Sequence, residues 1–236
     1  MSLSSIDLQT ITRIAILAAK QGGAILLDYA KKGFQIHKKE QAINLVTEAD
    51  IHSEKAIIAT IRHAFPEHQI LSEEQGLQDI PAHATKWIID PLDGTTNFAH
   101  GFPMYNVSIG VEHEGTCILG VIYDPTRDEL FLGQQGHGAT NNKTPIHVSA
   151  TPKLSEALLV TGFAYDVHTA TDNNFKEFGA FTLCARVCGA PARLPLISAI
   201  SHVADLTDFG SCNFIHGIPP PEKSLWKKPE EPSQIT

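Results

Sequence analysis

The order of apolar and polar residues predicts that helices and short strands alternate along the chain. Between Ser5 and Ala30, apolar residues recur at spacings of three and four, which is typical of an amphipathic helix packed on a sheet; they are Leu8, Ile11, Ile14, Ala15, Ala18, Ala19 and Ile25. The pair Gly22-Gly23 weakens this helix and predicts that another element approaches it closely. A second helix is predicted from Thr47 to His63, because Thr47 can cap its start and Pro66 ends it.

Short runs of β-type residues predict strands at 34–38, 68–72, 86–90, 107–112, 116–123, 129–133 and 158–160. The three runs between 107 and 133 alternate and are expected to pair antiparallel, with Glu114-Gly115 as a hairpin turn. A further helix is predicted over 173–185. This order of elements predicts an α+β protein built from layers of helices and sheets.

The segment W-I-I-D-P-L-D-G-T-T-N at residues 87–97 carries the strongest chemical signal. An apolar strand delivers Asp90 to its end, Pro91 stops the ladder because it lacks an N–H, and Gly94 allows a sharp turn. Asp90 and Asp93 therefore project from one turn. Carboxylates suit a hard cation such as Mg²⁺, and the N–H groups after Gly94 suit an anion. A cation site beside an anion site is what hydrolysis of a phosphate ester requires. The alternative, an Asp-rich surface turn, is weakened by the preceding apolar strand.

Composition narrows the classes of function. The 236 residues are 42% hydrophobic and 19% charged, which is ordinary for a soluble globular protein of one large or two small domains. The net charge of −8 argues against a general binder of nucleic acid or of membrane surfaces. No apolar run approaches about 20 residues, so no membrane span is expected. No signal peptide is expected, and the four cysteines form no C-x-x-C pair, so a reduced cytoplasmic protein is expected.

Extended to W-I-I-D-P-L-D-G-T-T-N-F-A-H-G-F-P, the same segment resembles the first signature of the inositol monophosphatase family. Three other segments resemble the family and occur in the right order: N-L-V-T-E-A-D at 44–50, L-S-E-E at 71–74, and G-H-G-A-T-N-N with P-I-H-V-S at 136–149. The resemblance runs from about residue 5 to about residue 186. It implies a layered α/β/α/β/α sandwich of the sugar-phosphatase type.

The resemblance also implies a role for each residue of the site. Glu73, Asp90, Asp93 and the backbone carbonyl of Leu92 would bind Mg²⁺. Glu73 and Thr95 would orient the attacking water beside Asp90, which makes these three the catalytic residues. The substrate would lie against the stretch from Leu92 through Asp93 and Gly94 to Thr95, whose Gly94 and Thr95 N–H groups would hold the phosphate.

Two further residues match supporting positions in the family. Asp50 and Lys39 correspond to positions that support the loop and the metal region. For Lys39 a solvated lysine is an equally good interpretation, since Lys38 and Glu40 flank it.

The implied activity is hydrolysis of a small phosphate monoester by a metal-activated water. The expected substrate is a phosphorylated polyol, myo-inositol monophosphate, and the expected protein is a cytoplasmic homodimer that requires Mg²⁺. Two alternatives stay open. One is a relative that acts on fructose bisphosphate or adenosine bisphosphate. The other is a regulator that binds the transcription machinery without catalysis, which some bacterial members of the family resemble.

The chain departs from the family beyond residue 186. The second signature, W-D-x-A-A-G, which supplies another metal-binding aspartate, is absent, and prolines cluster at 219–221, 229 and 232. In a reading frame shifted by one base, the codons allowed around 203–211 and 217–222 include G-R-L-D-G-F-W-E and W-D-T-A-A-G. Both strings are family patterns in the right order, so a frameshift near residues 184–187 is predicted; the alternative is a divergent but functional C-terminus.

The predicted frameshift sets the expected domain organisation. Residues 1–150 would form an N-terminal α+β domain that carries the metal site. Residues 151–186 would begin a C-terminal α/β sub-domain, which would remain incomplete. Residues 187–236 would be an out-of-frame and poorly ordered tail. Because burial would be lost, low solubility and weak or no activity are expected of the chain as it stands.

Overall fold

Two long helices pack against each other and against an eight-stranded sheet. The structure is a computed structural model that describes residues 5–33, 36–38, 45–77, 84–148, 150–160, 169, 173 and 175–189. Its helices are α1 (Ser5–Lys32), α2 (Glu48–Ala64), α3 (Thr95–Ala99) and α4 (Phe175–Cys184), with one 3₁₀ turn at Leu154–Glu156. Its strands are β1 (Ile36–Lys38), β2 (Leu45–Thr47), β3 (Gln69–Ser72), β4 (Gly76–Leu77), β5 (Thr85–Asp93), β6 (Asn106–His113), β7 (Thr116–Asp124), β8 (Glu129–Gln134), β9 (Gly138–Asn141), β10 (Thr144–Ile146), β11 (Leu158–Val160) and β12 (Val187–Gly189).

The large sheet has the strand order β10-β9-β8-β7-β6-β5-β3-β4. Its neighbours are antiparallel except for β3 and β5, which run parallel. Strands β1 and β2 form a separate antiparallel pair, and β11 and β12 form a parallel pair. The predicted α+β class is confirmed, as is the antiparallel set from residue 107 to residue 133.

The apolar stripe predicted for α1 lies in the core. Its buried members are Ile11, Ile14, Ala15, Ala18 and Ala19, whereas the predicted Leu8 and Ile25 are only partly buried. The buried members, together with Leu26, which was not predicted, join a cluster with Ile57 and Ile61 of α2 and with the inner residues of β5, β6 and β7. By length and composition alone, Leu8–Lys32 would also be apolar enough to cross a membrane. Core helices of soluble proteins satisfy the same criterion, and the burial of this stripe is what a core helix requires.

The Gly22-Gly23 pair permits the predicted close approach. A Cβ atom at Gly22 would lie 2.7 Å from Ser53 Oγ and 2.8 Å from Ile57 Cδ1, both on α2. A Cβ atom at Gly23 would lie 2.7 Å from the ring of Tyr123 on β7. The two glycines therefore let α1 fit between α2 and the sheet.

The structure corrects the predicted end of β5. Pro91 interrupts the ladder, but the strand does not stop there. The register shifts between Asp90, which pairs with Ser108, and Asp93, which pairs with Asn106. A bulge accommodates a residue without an N–H, so the chain bends at Pro91 and then returns to the sheet.

Several sequence-based predictions concern the remainder of the chain. Helix α4 and strand β12 extend the described chain to residue 189, while Lys39 and residues 190–236 lie outside the described residues. The expectation of reduced cysteines fails at the buried Cys117, which is disulfide-bonded. Cys184 is free and exposed, as expected.

Candidate active site

The parallel pairing of β3 and β5 brings Glu73 and Asp90 together. Ser72 pairs with Ile89 at the carboxyl ends of the two strands, so the residues that follow, Glu73 and Asp90, lie side by side. The Glu73 N–H donates to the Ile89 carbonyl at 3.1 Å, which fixes this edge. Residues far apart in the chain therefore place two carboxylates at one end of the sheet, where ligands of mixed sheets commonly bind.

The bulge at Pro91 forms a turn that brings a third carboxylate, that of Asp93, to this edge of the sheet. The Leu92 N–H donates to Asp90 Oδ1 at 3.1 Å, so the first aspartate holds the turn that leads to the second. Asp93 then rejoins the ladder opposite Asn106, whose side-chain amide donates to Asp93 Oδ2 at 3.1 Å. Glu73, Asp90 and Asp93 are thus fixed by backbone pairing close to one another.

Gly94 turns the chain from β5 into α3. Its φ of 95° lies in the left-handed region, which glycine adopts without steric cost. A Cβ atom there would lie 3.0 Å from the Met104 carbonyl oxygen. Two features therefore explain the predicted glycine at this position: the left-handed dihedral angle and the close approach of the loop before β6.

Burial, followed by repulsion between like charges, sets the electrostatics of the site. The pKa of Asp90 lies well above its usual value, first because the carboxyl is removed from water, and then because Asp93 and Glu73 carry negative charge nearby. A hydrogen bond with the Glu73 side chain raises the pKa further, whereas the Leu92 N–H lowers it. Like charges at short range favour a proton or a cation between them.

The donor set suits a hard divalent cation. The side-chain oxygens of Glu73, Asp90 and Asp93 and the carbonyl oxygen of Leu92 are all oxygen ligands, which Mg²⁺ prefers. In the described part of the chain, no group of three acidic, histidine or cysteine side chains is arranged so that it could already hold a metal ion. The repulsion between Asp90 and its acidic neighbours favours a cation, since a positive charge would offset that repulsion.

Thr95 lies at the start of α3 and is connected to Asp50. Its hydroxyl donates to the Leu92 carbonyl at 3.0 Å and lies 3.4 Å from Asp50 Oδ1, so its one proton can turn to either acceptor. Thr95 is 8% exposed and Asp50 is 1% exposed. The structure therefore brings Asp50 to the turn that carries Leu92, Gly94 and Thr95.

Three buried residues on one face of α2 support the site, and only Asp50 among them was predicted from the sequence. Asp50, Ser53 and Glu54 are buried and lie at positions i, i+3 and i+4 of the helix. The Ser53 hydroxyl donates to the Pro91 carbonyl at 3.0 Å, and Glu54 Oε2 accepts from the Glu74 N–H at 3.1 Å. The available signal was a Ser-Glu pair on the core-facing side of a predicted helix.

A second group of contacts, which was not predicted from the sequence, holds the loop between α3 and β6 in place. Asp124, which is fully buried, accepts from the Arg127 guanidinium at 2.7 Å, and Arg127 also donates to the Pro103 carbonyl at 3.2 Å. The Asn97 side chain donates to the Met104 carbonyl at 2.9 Å. These contacts keep the loop against Gly94. They depend on tertiary structure, so spacing along the chain gave no sign of them.

The sequence of the chain is similar to those of known proteins. A model of the inositol monophosphatase family matches residues 7–207. The chain belongs to this family. It is 46% identical over 172 residues to an inositol-1-monophosphatase of Synechocystis, and 38% identical over 174 residues to the Nus factor SuhB of Vibrio cholerae. Each match takes in 73% of this chain.

A solved structure agrees with this assignment. The inositol monophosphatase from Anabaena superposes with a TM-score of 0.72 at 44% identity, covering 84% of this chain and 71% of that one. The fold of the sugar-phosphatase type is therefore confirmed. The matches span 60% of the length of the Synechocystis relative and 65% of the Vibrio relative.

Proposed function

We propose that the protein hydrolyses a small phosphate monoester with the help of Mg²⁺, and that myo-inositol monophosphate is its substrate. The observation that carries the proposal is the convergence of Glu73, Asp90 and Asp93 at one sheet edge, since like charges placed close together favour a bound cation. The Synechocystis relative, which is named an inositol-1-monophosphatase, supports the choice of substrate.

The proposed role of each residue in binding the cation or the phosphate rests on its position in the site. Glu73, Asp90, Asp93 and the Leu92 carbonyl would hold the cation, and the turn at Gly94 would present its N–H groups and that of Thr95 to the phosphate. A bound Mg²⁺ supplies the Lewis acidity that makes water a nucleophile at neutral pH and balances charge on the departing oxygen.

Thr95 and Glu73 would orient the attacking water. When the Thr95 hydroxyl donates to Asp50 or to the Leu92 carbonyl, its lone pairs are left to accept a hydrogen bond from water. Glu73 is exposed, so its carboxylate can accept a hydrogen bond from the second O–H group of the same water. The water oxygen then bonds to phosphorus as the ester P–O bond breaks, and a proton goes to the leaving alcohol.

Phosphate release from myo-inositol 1-phosphate by a frame-restored protein, measured against Mg²⁺ concentration, tests the proposal. Asp93→Asn is expected to abolish Mg²⁺-dependent release, and Glu73→Gln to lower kcat more than it raises KM, because interactions made only in the transition state appear in kcat. Glu67→Gln, on an exposed residue after α2, is the matched control. Near-normal turnover in Asp93→Asn would contradict the metal assignment.

A regulatory function is the second candidate, favoured by the 38% identity to a protein named Nus factor SuhB. A regulator that binds the transcription machinery would not need the carboxylates of the site. Asp93→Asn would then leave the binding of that partner unchanged while phosphate release falls. Co-purification of the partner with both forms, in parallel with the release assay, separates the two functions.

The proposal extends to organisation and location. We expect a cytoplasmic homodimer, an N-terminal domain at residues 1–150, an incomplete sub-domain at 151–186 and an out-of-frame tail from 187. Sequencing the gene around codons 184–187 tests the frameshift, and sedimentation tests the dimer. Restoring the frame is expected to raise both solubility and phosphate release, and an equally active unrestored chain would contradict the frameshift.

A further inference from the structure

Asn106 is a buried polar residue at the start of β6. It is 0% exposed, and Ser108 and Gly110, which alternation along the strand places on the same face, are buried as well. Its side-chain Nδ2 donates to Asp93 Oδ2 at 3.1 Å. Its Oδ1 is buried and accepts no hydrogen bond from any residue that the structure describes.

An asparagine in this state is costly for stability. A buried carbonyl oxygen without a donor has lost its hydration and gained nothing in return. A leucine has nearly the same shape and would bury no unpaired polar atom. Stability alone therefore favours an apolar residue at this position, and the one interaction that an apolar residue cannot make is the hydrogen bond to Asp93.

The backbone explains why this contact is possible only here. The bulge at Pro91 shifts the register of β5, and Asp93 returns to the ladder directly opposite Asn106. Side chains directly opposite each other in an antiparallel pair lie close together. The amide of Asn106 therefore reaches one carboxylate oxygen of Asp93.

We propose that Asn106 is a positioning residue that fixes the orientation of the Asp93 carboxylate for cation binding. Its amide engages Oδ2 and so restricts the directions in which the carboxylate can face. As a neutral donor it restricts rotation of the carboxylate without neutralising its charge, which a lysine or arginine would do. This inference rests on the proposed function, because it assigns Asp93 to the cation.

Binding of Mn²⁺, used as a probe for Mg²⁺ and followed by the loss of the free-ion EPR signal, tests the inference on the full chain. Asn106→Leu and Asn106→Ala are each expected to weaken Mn²⁺ binding by about 10- to 100-fold, the usual effect of removing a residue that supports a metal ligand. The metal-free Asn106→Leu protein is expected to unfold within a few degrees of wild type.

Two comparisons make the result specific. Asn141→Leu is the matched control, because Asn141 lies on β9 at the far side of the sheet and also has a buried, unpaired Oδ1. It is expected to bind Mn²⁺ as wild type does. If Asn106 only filled space, the leucine variant would bind normally and the alanine variant would not.

The outcomes also distinguish this inference from the proposed function. A wild-type chain that binds no Mn²⁺ would overturn both. A wild-type chain that binds Mn²⁺, together with an Asn106→Leu variant that binds it equally well, would overturn the positioning role alone. Weakened binding in both Asn106 variants but not in Asn141→Leu would support it.

Discussion

Replacing Asp90 with asparagine should make the metal-free protein more stable and the metal-dependent protein inactive. The substitution keeps the shape of the side chain and leaves its oxygen to accept from the Leu92 N–H, which lies 3.1 Å away. It removes a charge whose pKa is raised by burial, by Asp93 and by Glu73. Stability and function are therefore predicted to change in opposite directions.

The pH dependence follows from the direction of the pKa shift. The unfolded chain loses the Asp90 proton near its ordinary pKa of about 3.9, whereas the folded chain keeps it to higher pH. The folded state then binds more protons, so the free energy of unfolding falls as pH rises through this window and remains lower at neutral pH. The asparagine side chain has no proton to lose, so the Asp90→Asn variant should show less of this fall.

The magnitudes allow a direct measurement. One pKa unit corresponds to about 1.4 kcal/mol, and 1 kcal/mol moves the Tm of a chain of this size by about 2–4 °C. Mg²⁺ at about 100 times its Kd should stabilise the wild type by about 2.7 kcal/mol, or roughly 5–10 °C, and the variant by much less. The order of the two Tm values is therefore expected to reverse when Mg²⁺ is added.

Thermal unfolding between pH 4 and pH 8, with and without Mg²⁺, tests this reasoning alongside phosphate release. Asp28→Asn is the control, because Asp28 is exposed and its i,i+4 pair with Lys32 is a surface pair of little energetic value. The reasoning fails if the metal-free Asp90→Asn protein is less stable than wild type at pH 7 and still gains the full Mg²⁺ stabilisation.

Two further predictions concern the elements that support the site. Gly22→Ala should destabilise the protein by about 1–2 kcal/mol in urea unfolding, because a clash 2.7 Å from Ser53 Oγ outweighs a helix-propensity gain of up to about 1 kcal/mol. Gly179→Ala, on α4 with open space around it, should be neutral or stabilising, and equal effects at both sites would contradict the packing argument. Glu54→Ala should cost about 1–3 kcal/mol by leaving the Glu74 N–H unpaired, whereas Glu54→Gln should retain most of the stability. An equally destabilised glutamine variant would show that the charge of Glu54, and not its oxygen, is required.

The periodicity of the sequence predicted most of the fold. The apolar spacing in α1 identified the buried face, and the strands between residues 106 and 134 were predicted to within about two residues. These elements are long and strongly patterned, so local sequence determines them. The end of β5 was predicted wrongly, because a proline can be absorbed by a bulge as well as end a strand, and only the partner strand decides between the two.

Less of the site than of the fold could be predicted from the sequence. Asp90 and Asp93 could be found from the turn that carries them, but their proximity to Glu73 depends on the parallel register of β3 and β5. Only the family resemblance linked those segments. Asn106 gave no signal, and the signal from Ser53 and Glu54 was limited to their place on the core-facing side of a predicted helix. A buried serine, glutamate or asparagine is recognised by its partner, and each partner here lies at least 13 residues away in the chain.

The supporting residues show how a site of repelling charges can remain ordered. The charges of Glu73, Asp90 and Asp93 repel one another, and within the triad only the hydrogen bond between Asp90 and Glu73 opposes that repulsion. The restraint comes from groups that add no positive charge. Ser53 holds the Pro91 carbonyl, Glu54 holds the Glu74 N–H, and Asn106 holds Asp93. A lysine or arginine in any of these places would relieve the repulsion and would also compete with the cation. The contacts that are present fix the geometry while leaving the negative charge uncompensated, and that remaining charge is what would make cation binding favourable.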